Sequence, residues 1–262
     1  MRFSVLLLAL ALTAPSAAAQ ADALTRARQT LDAGTASESA DSLLAARASL
    51  SLLADGPDAD WATYYAALAD YRLAYAFWGA DAERAQRHAA AGAAALEALR
   101  ARRDLAAGLP AEAAALHSAL IGAQIGLDGA RAIDLGPASQ ATLADAVRLA
   151  PENPRVLYVQ AVSLLSTPPE WGGDPDAGEA ALRRAVALFD ARDAADAGTH
   201  APRWGHSEAY AWLGMAALMR GDADAARGPI ETAEAMSPRS AFVRYKLRPW
   251  LDSLTAGAAA AQ

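Results

Sequence analysis

The chain reads as an all-α protein, a right-handed α-solenoid of antiparallel helix hairpins. Three observations predict this. Apolar residues recur at the three- and four-residue spacing of helices, runs of β-branched residues are absent, and Gly/Pro clusters cut the chain into one-helix segments. Helices in series that pair with their neighbours stack into a solenoid, because each pair can bury its apolar face only on the next.

The first twenty residues, MRFSVLLLALALTAPSAAAQ, carry a positive charge at Arg2, an apolar run from Val5 to Leu12 and a small-residue Ala17-x-Ala19 pattern. That is the form of a secretory signal peptide, residues 1–19, cleaved on export to the periplasm. The run breaks at Thr13 and Pro15, short of the roughly 20 apolar residues that a membrane span needs. No later segment is apolar for long enough, so no membrane insertion is expected. The 262 residues include no cysteine, which excludes a disulfide framework and thiolate chemistry. About 240 remaining residues suffice for a core. A net charge of −7 argues against nucleic acid as a partner.

Helices are expected at 21–33, 38–54, 58–79, 81–103, 110–127, 138–150, 154–166, 174–190, 207–219, 223–236 and 239–253. Breaks fall at Gly56-Pro57, Gly108 to Pro110, Gly136-Pro137, Pro151 to Pro154, Pro168 to Gly173 and Gly198 to Gly205. The domain is expected to span 20–254, with irregular hairpins at 38–106, repeats near 118–153, 154–190 and 207–240, and a capping helix at 241–254. Thr255 to Gln262 is a low-complexity tail expected to be disordered.

Residues 207–240 carry a recurring pattern: Tyr210, Leu213-Gly214, Ala217, Gly221, Ala226, Ile230, Ala233 and Pro238. In this register the stretch resembles a tetratricopeptide repeat, with Ala217 departing from the family's usual aromatic. Small residues let the two helices approach closely, and large ones fill the space between successive pairs. Counting back places Ile121-Gly122, Gly129, Leu143 and Ala146 in one unit, then Leu157, Ala161, Leu164, Leu182 and Ala185 in the next, each with five extra residues in its turn. The Pro-Pro-Glu-Trp-Gly-Gly-Asp turn and the Trp204-Gly205 motif extend the resemblance to a group of exported bacterial tetratricopeptide-repeat proteins, over roughly residues 40–253. It implies a scaffold that binds a protein or peptide partner on the concave face of its first helices.

Gly172-Gly173 before a helix has the look of a phosphate loop, but Asp174, Pro175 and Asp176 already serve the positive helix end and would repel an anion. The pair reads as a turn. Trp61, Tyr64, Leu68, Tyr71, Tyr75 and Trp78 form one helical face, a core stripe, which leaves Tyr65 and Phe77 on a second face. Trp171 and Trp204 should stand roughly 25 Å apart at opposite ends of the 174–190 helix, unless the segment from Arg192 to Gly205 folds back. Gly205-His206-Ser207-Glu208 falls short of a nucleophile elbow, since no strand precedes it; Ser207 reads as a helix cap. His88, His117, His200 and His206 lack metal-ligand spacing, and the acidic residues read as spread along exposed faces.

No catalytic, cofactor or metal site is expected. Tyr65, Arg72, Tyr75, Trp171 and Trp204 are the candidate partner contacts. The alternative reading is a small-ligand pocket or enzyme site between the N-terminal hairpins and the first regular repeat, lined by Arg72, Tyr75 and His117.

Overall fold

The computed structural model describes residues 17–191 and 200–260. They form eleven α-helices: α1 Ala17–Ser37, α2 Ala40–Ser51, α3 Ala59–Phe77, α4 Ala82–Arg100, α5 Leu109–Leu127, α6 Ala132–Leu149, α7 Pro154–Ser166, α8 Pro175–Asp190, α9 His206–Met219, α10 Ala223–Met236 and α11 Arg248–Ala260. A π-helical turn, Phe242–Leu247, leads into α11. Consecutive helices pair as five hairpins, each stacked on the next, and α11 packs on α10. The all-α hairpin architecture is as the sequence predicts.

Local chemistry sets the helix starts. Asp81, Asp174 and Asp222 each accept from the backbone N–H three residues on, at 2.9, 3.0 and 2.9 Å, satisfying an amide that would otherwise lack a partner. Asn153 does the same for Arg155 N–H at 2.9 Å, with Pro154 as the first residue of α7, where its missing N–H costs nothing. At the other end of a hairpin, Gly221 closes α9 with φ +75°. Within the last hairpin, a Cβ on Gly214 would sit 2.5 Å from Ile230 Cγ1, so the glycine is what lets α9 and α10 approach.

The Gly172-Gly173 stretch is a turn, as expected. Residues Pro169–Trp171 make one 3-10 turn and Gly172 has φ +95°. A Cβ on Gly173 would fall 1.7 Å from the Thr167 carbonyl oxygen. Asp174 N–H donates to Leu164 O at 3.1 Å while its carboxylate caps α8. The five extra residues of this turn carry Trp171 outward, with Gln140 Nε2 donating to the Trp171 carbonyl at 3.0 Å. The extra residues of the preceding repeat behave differently. They lengthen α6, which starts at Ala132 instead of 138 and takes Gly136 and Pro137 inside it. Pro137 sits in the second turn, where one lost hydrogen bond on a solvent-facing stretch is tolerated.

Three further expectations meet the structure at the termini. Residues 1–16 of the expected signal peptide lie outside the described residues, and α1 begins at Ala17, within its last three positions. The Arg192 to Gly198 connection is likewise outside them. At the C-terminus α11 runs through Thr255 to Ala260, and the last two residues of the expected tail lie outside the described residues. No described helix is long and apolar enough to cross a membrane.

Candidate functional site

The stacked hairpins curve until the turn of the first meets the segment that follows the last. Ala241 N–H, just before the π-helical turn, donates to Glu38 Oε1 in the α1–α2 turn at 2.6 Å. Glu38 holds a left-handed backbone, φ +53°, which costs a non-glycine residue about 1 kcal/mol or more. Behind this contact lies a cavity of about 490 Å³. Its wall combines the C-terminal half of α3, the middle of α7, the first turns of α9, and the residues that flank the Glu38 contact.

The lining is aromatic and apolar with one polar group of side chains. Tyr71, Tyr75, Tyr158, Trp212 and Phe242 face it. Tyr71 and Tyr75 meet edge to face at 5.0 Å, and Trp212 and Phe242 lie 5.7 Å apart. Burial pushes the Tyr71 and Tyr158 phenols well above their usual ionisation range, so both remain neutral hydroxyls. The polar group is built around Arg72, which pairs with Glu208 of α9. Burial opposes charge on both, yet the ion pair outweighs it, raising Arg72 and holding Glu208 below the ordinary carboxylate range. Ser207 and Ser237 continue this group, their hydroxyls 2.9 Å apart.

Glu208 is fixed from elsewhere as well. Its Oε2 accepts from Gly205 N–H and from the Ser207 hydroxyl, both at 3.1 Å, closing the first turn of α9. Gly205, with φ +104°, is the cap residue; Ser207, the expected cap, instead donates to Glu208. Substitution at Gly205 would also crowd Phe189, 3.0 Å from an added Cβ.

The five predicted contact residues separate. Arg72 and Tyr75 line the cavity, Tyr75 being 48% exposed. Tyr65 is buried, donating to His200 O at 2.8 Å under the Arg28 guanidinium. That corrects its placement on a free face: the segment from His200 folds back over α3, and Arg28 donates to Ala201 O at 3.0 Å. Trp204 rides in on the same segment and is buried, its ring beside Tyr71 and Tyr158 and its indole N–H donating to Tyr64 OH at 2.9 Å. It forms part of the core behind the cavity wall. Trp171, 55% exposed, lies away from all of these. His117, expected in the pocket, is instead on α5, where Arg100 approaches its Nδ1 at 3.1 Å.

Two buried carboxylates contradict the expectation that acidic residues lie on exposed faces. Glu112 of α5 and Arg155 of α7 are 3% and 4% exposed. Arg155 reaches both carboxylate oxygens at 2.6 to 2.9 Å, with Asn153 Nδ2 at 2.6 Å and Tyr64 OH at 3.3 Å completing the set. Asp70 of α3 accepts from Arg47 at 2.5 Å and meets His88 Nδ1 at 2.7 Å. Neither site was marked by a motif, because the partners of each carboxylate are 18 to 48 residues away in sequence and come together only by helix packing. The histidines are held by single partners, His206 meeting Asp190 at 2.8 Å. No group of three potential metal ligands occurs among the described residues.

No family model and no curated protein matches the chain, so the tetratricopeptide resemblance rests on its residues alone. A solved structure, the HusA haemophore from Porphyromonas gingivalis, matches with a TM-score of 0.60 and 27% identity. The match covers 78% of this chain and 95% of that one. The likeness bears out the helical architecture, and the neighbour is by its name a haemophore.

Proposed function

We propose that the chain is an exported binding protein that holds a small, flat, largely apolar ligand in the cavity between its two ends, haem being the candidate. The observation that carries this is the cavity itself. Its volume lies within the 300–1,000 Å³ range of small-molecule sites, and five aromatic side chains line it. The likeness to a haemophore supplies the candidate. The chain's own part is stacking and exclusion of water: Trp212, Phe242 and Tyr75 offer ring surfaces to a planar molecule. Among the described residues that line the cavity there is no histidine, and burial holds the phenols of Tyr71 and Tyr158 protonated. The contribution of these residues is therefore to the flat macrocycle.

This reading is preferred to a peptide groove on the concave face, because the aromatic lining of the cavity and the likeness to a haemophore both fit a small ligand. Titration of the purified protein with haemin, followed by Trp fluorescence and the Soret band, tests it. Saturation at one or a few haems per chain with micromolar or tighter affinity is expected. Val162→Trp, which fills the cavity from α7, should abolish binding with the helical circular dichroism retained. No saturation up to the solubility of haemin, or undiminished binding by the filled variant, would refute the assignment.

A further inference from the structure

We propose that Arg72 is the specificity-determining anchor of the cavity, taking a carboxylate of the ligand, so that the site selects flat apolar acids over their neutral esters. The inference rests on the reading that the cavity holds a ligand. The apolar lining alone would accept any flat molecule of the right size. What adds chemistry is a guanidinium in the cavity wall, its side chain 15% exposed, placed above the Tyr71 ring at 5.8 Å.

An arginine paired with a carboxylate is ordinarily spent. Here the pairing is lopsided. Only Nη2 of Arg72 meets Glu208, through Oε1, and a guanidinium carries five donors in a planar fork. Glu208 does not depend on Arg72 for its position, because Oε2 is tied to Gly205 N–H and the Ser207 hydroxyl. The remaining N–H groups can turn to a second carboxylate without dismantling the start of α9. Nearby hydroxyls add to the donor side: Tyr71 and Tyr158 stay protonated and line the same cavity. The other carboxylate in the lining, Glu38, is engaged with the Ala241 amide at the rim. The guanidinium thus keeps donors beyond the one that meets Glu208, and the acceptor that suits them best bears negative charge.

Glu208 then works against the ligand it helps to position. Its charge offsets part of the Arg72 field, so a neutral amide in its place should strengthen the hold on an acid. A purely structural Arg72–Glu208 pair predicts the opposite, since leaving a buried arginine without its partner loosens the wall.

The test compares haemin with its dimethyl ester on three proteins: the native chain, Glu208→Gln, and the double variant Arg72→Gln/Glu208→Gln. In the double variant two amides can still hydrogen-bond across the gap, which preserves the wall; thermal unfolding checks that it does. Native protein should prefer the acid by about tenfold or more, the scale of a charge-assisted hydrogen bond. Glu208→Gln should widen that preference several-fold, and the double variant should erase it while still binding the ester. Equal affinity of the native protein for acid and ester, or a preference that survives in the double variant, would overturn the anchor. If neither ligand binds the native protein, the ligand-binding reading fails first.

Discussion

The indole N–H of Trp204 donates to the hydroxyl of Tyr64 at 2.9 Å, joining residues 140 positions apart. Tyr64 is fully buried in α3 and in turn meets Glu112 of α5 at 3.3 Å. The segment that carries Trp204 is thereby tied to the first hairpins of the stack. Trp204→Phe keeps most of the ring and leaves the buried hydroxyl one partner short, which costs about 1–2 kcal/mol. Trp204→Ala adds a cavity and should cost about 3–5 kcal/mol. Chemical denaturation of both variants measures the difference, which separates the hydrogen bond from the packing.

A buried ion pair makes a different prediction. Glu112 is the carboxylate that pairs with Arg155, and both are almost wholly removed from water. Glu112→Ala leaves a buried guanidinium without compensation and should destabilise the fold by about 3–5 kcal/mol. Replacing both, as Glu112→Leu/Arg155→Met, removes the charges together and should recover more than half of the loss. Full recovery is not expected, because Asn153 and Tyr64 also lose their acceptor. Urea unfolding of the three chains reads the cycle.

His117 gives the fold a dependence on pH with a definite sign. Burial, then the nearby Arg100 charge, lower its pKa from the ordinary 6.5. The folded state therefore binds fewer protons than the unfolded chain just below pH 6.5, and stability must fall as the pH drops through that window. The penalty grows until the folded-state pKa is passed and then levels off. His117→Gln, neutral at every pH, should flatten this part of the stability curve. Thermal midpoints of both proteins from pH 7.5 down to 4.5 make the comparison.

How much of this was legible beforehand follows from the range of each interaction. The eleven helices came from spacing and punctuation, and Gly214, Ala226 and Ile230 from a local register, because a hairpin is a short-range object. Residue-level signals failed where the deciding contact is distant. Pro137 marked a helix break by local rule, yet the solvated stretch of α6 absorbs it. Tyr65 looked free on a helical wheel until the segment at His200 covered it. Arg72 and Tyr75 were identified as site residues, but His117 was grouped with them, whereas it meets Arg100 of α4 and does not line the cavity. The alternative reading named two wall residues of the cavity, Arg72 and Tyr75, but not its far side, which α9, α10 and the segment around Phe242 supply because the packing of five hairpins brings Glu38 to Ala241.

The turn at Gly173 can be tested independently of any ligand. With 1.7 Å between an added Cβ and Thr167 O, Gly173→Ala cannot be accommodated by side-chain movement; the turn backbone must shift. A loss of about 2–4 kcal/mol is expected, at the upper end for a single substitution. Trp171→Ala, on the same turn but exposed, should stay within about 0.5 kcal/mol. A phosphate-loop role would predict that phosphate raises the melting temperature of the native protein. With Asp174 occupying the helix start, no such rise is expected in a thermal shift series with added phosphate.

The closure between the chain's two ends carries the last prediction, and two substitutions at one residue resolve it. Glu38 contributes an exposed hydrogen bond to Ala241 N–H and pays in backbone strain for its φ of +53°. Glu38→Ala loses the bond and retains the strain, so it should destabilise by about 0.5–1.5 kcal/mol. Glu38→Gly also loses the bond but relieves a left-handed conformation worth about 1 kcal/mol, and should come out near neutral. Stability alone would not show whether the ends have parted. Hydrogen exchange at the Ala241 amide does, since both variants remove its acceptor and both should accelerate exchange there, while amides in the middle of α3 and α5 keep their protection. An Ala241 amide that exchanges equally in all three proteins would mean that the ends of the solenoid separate freely without this contact.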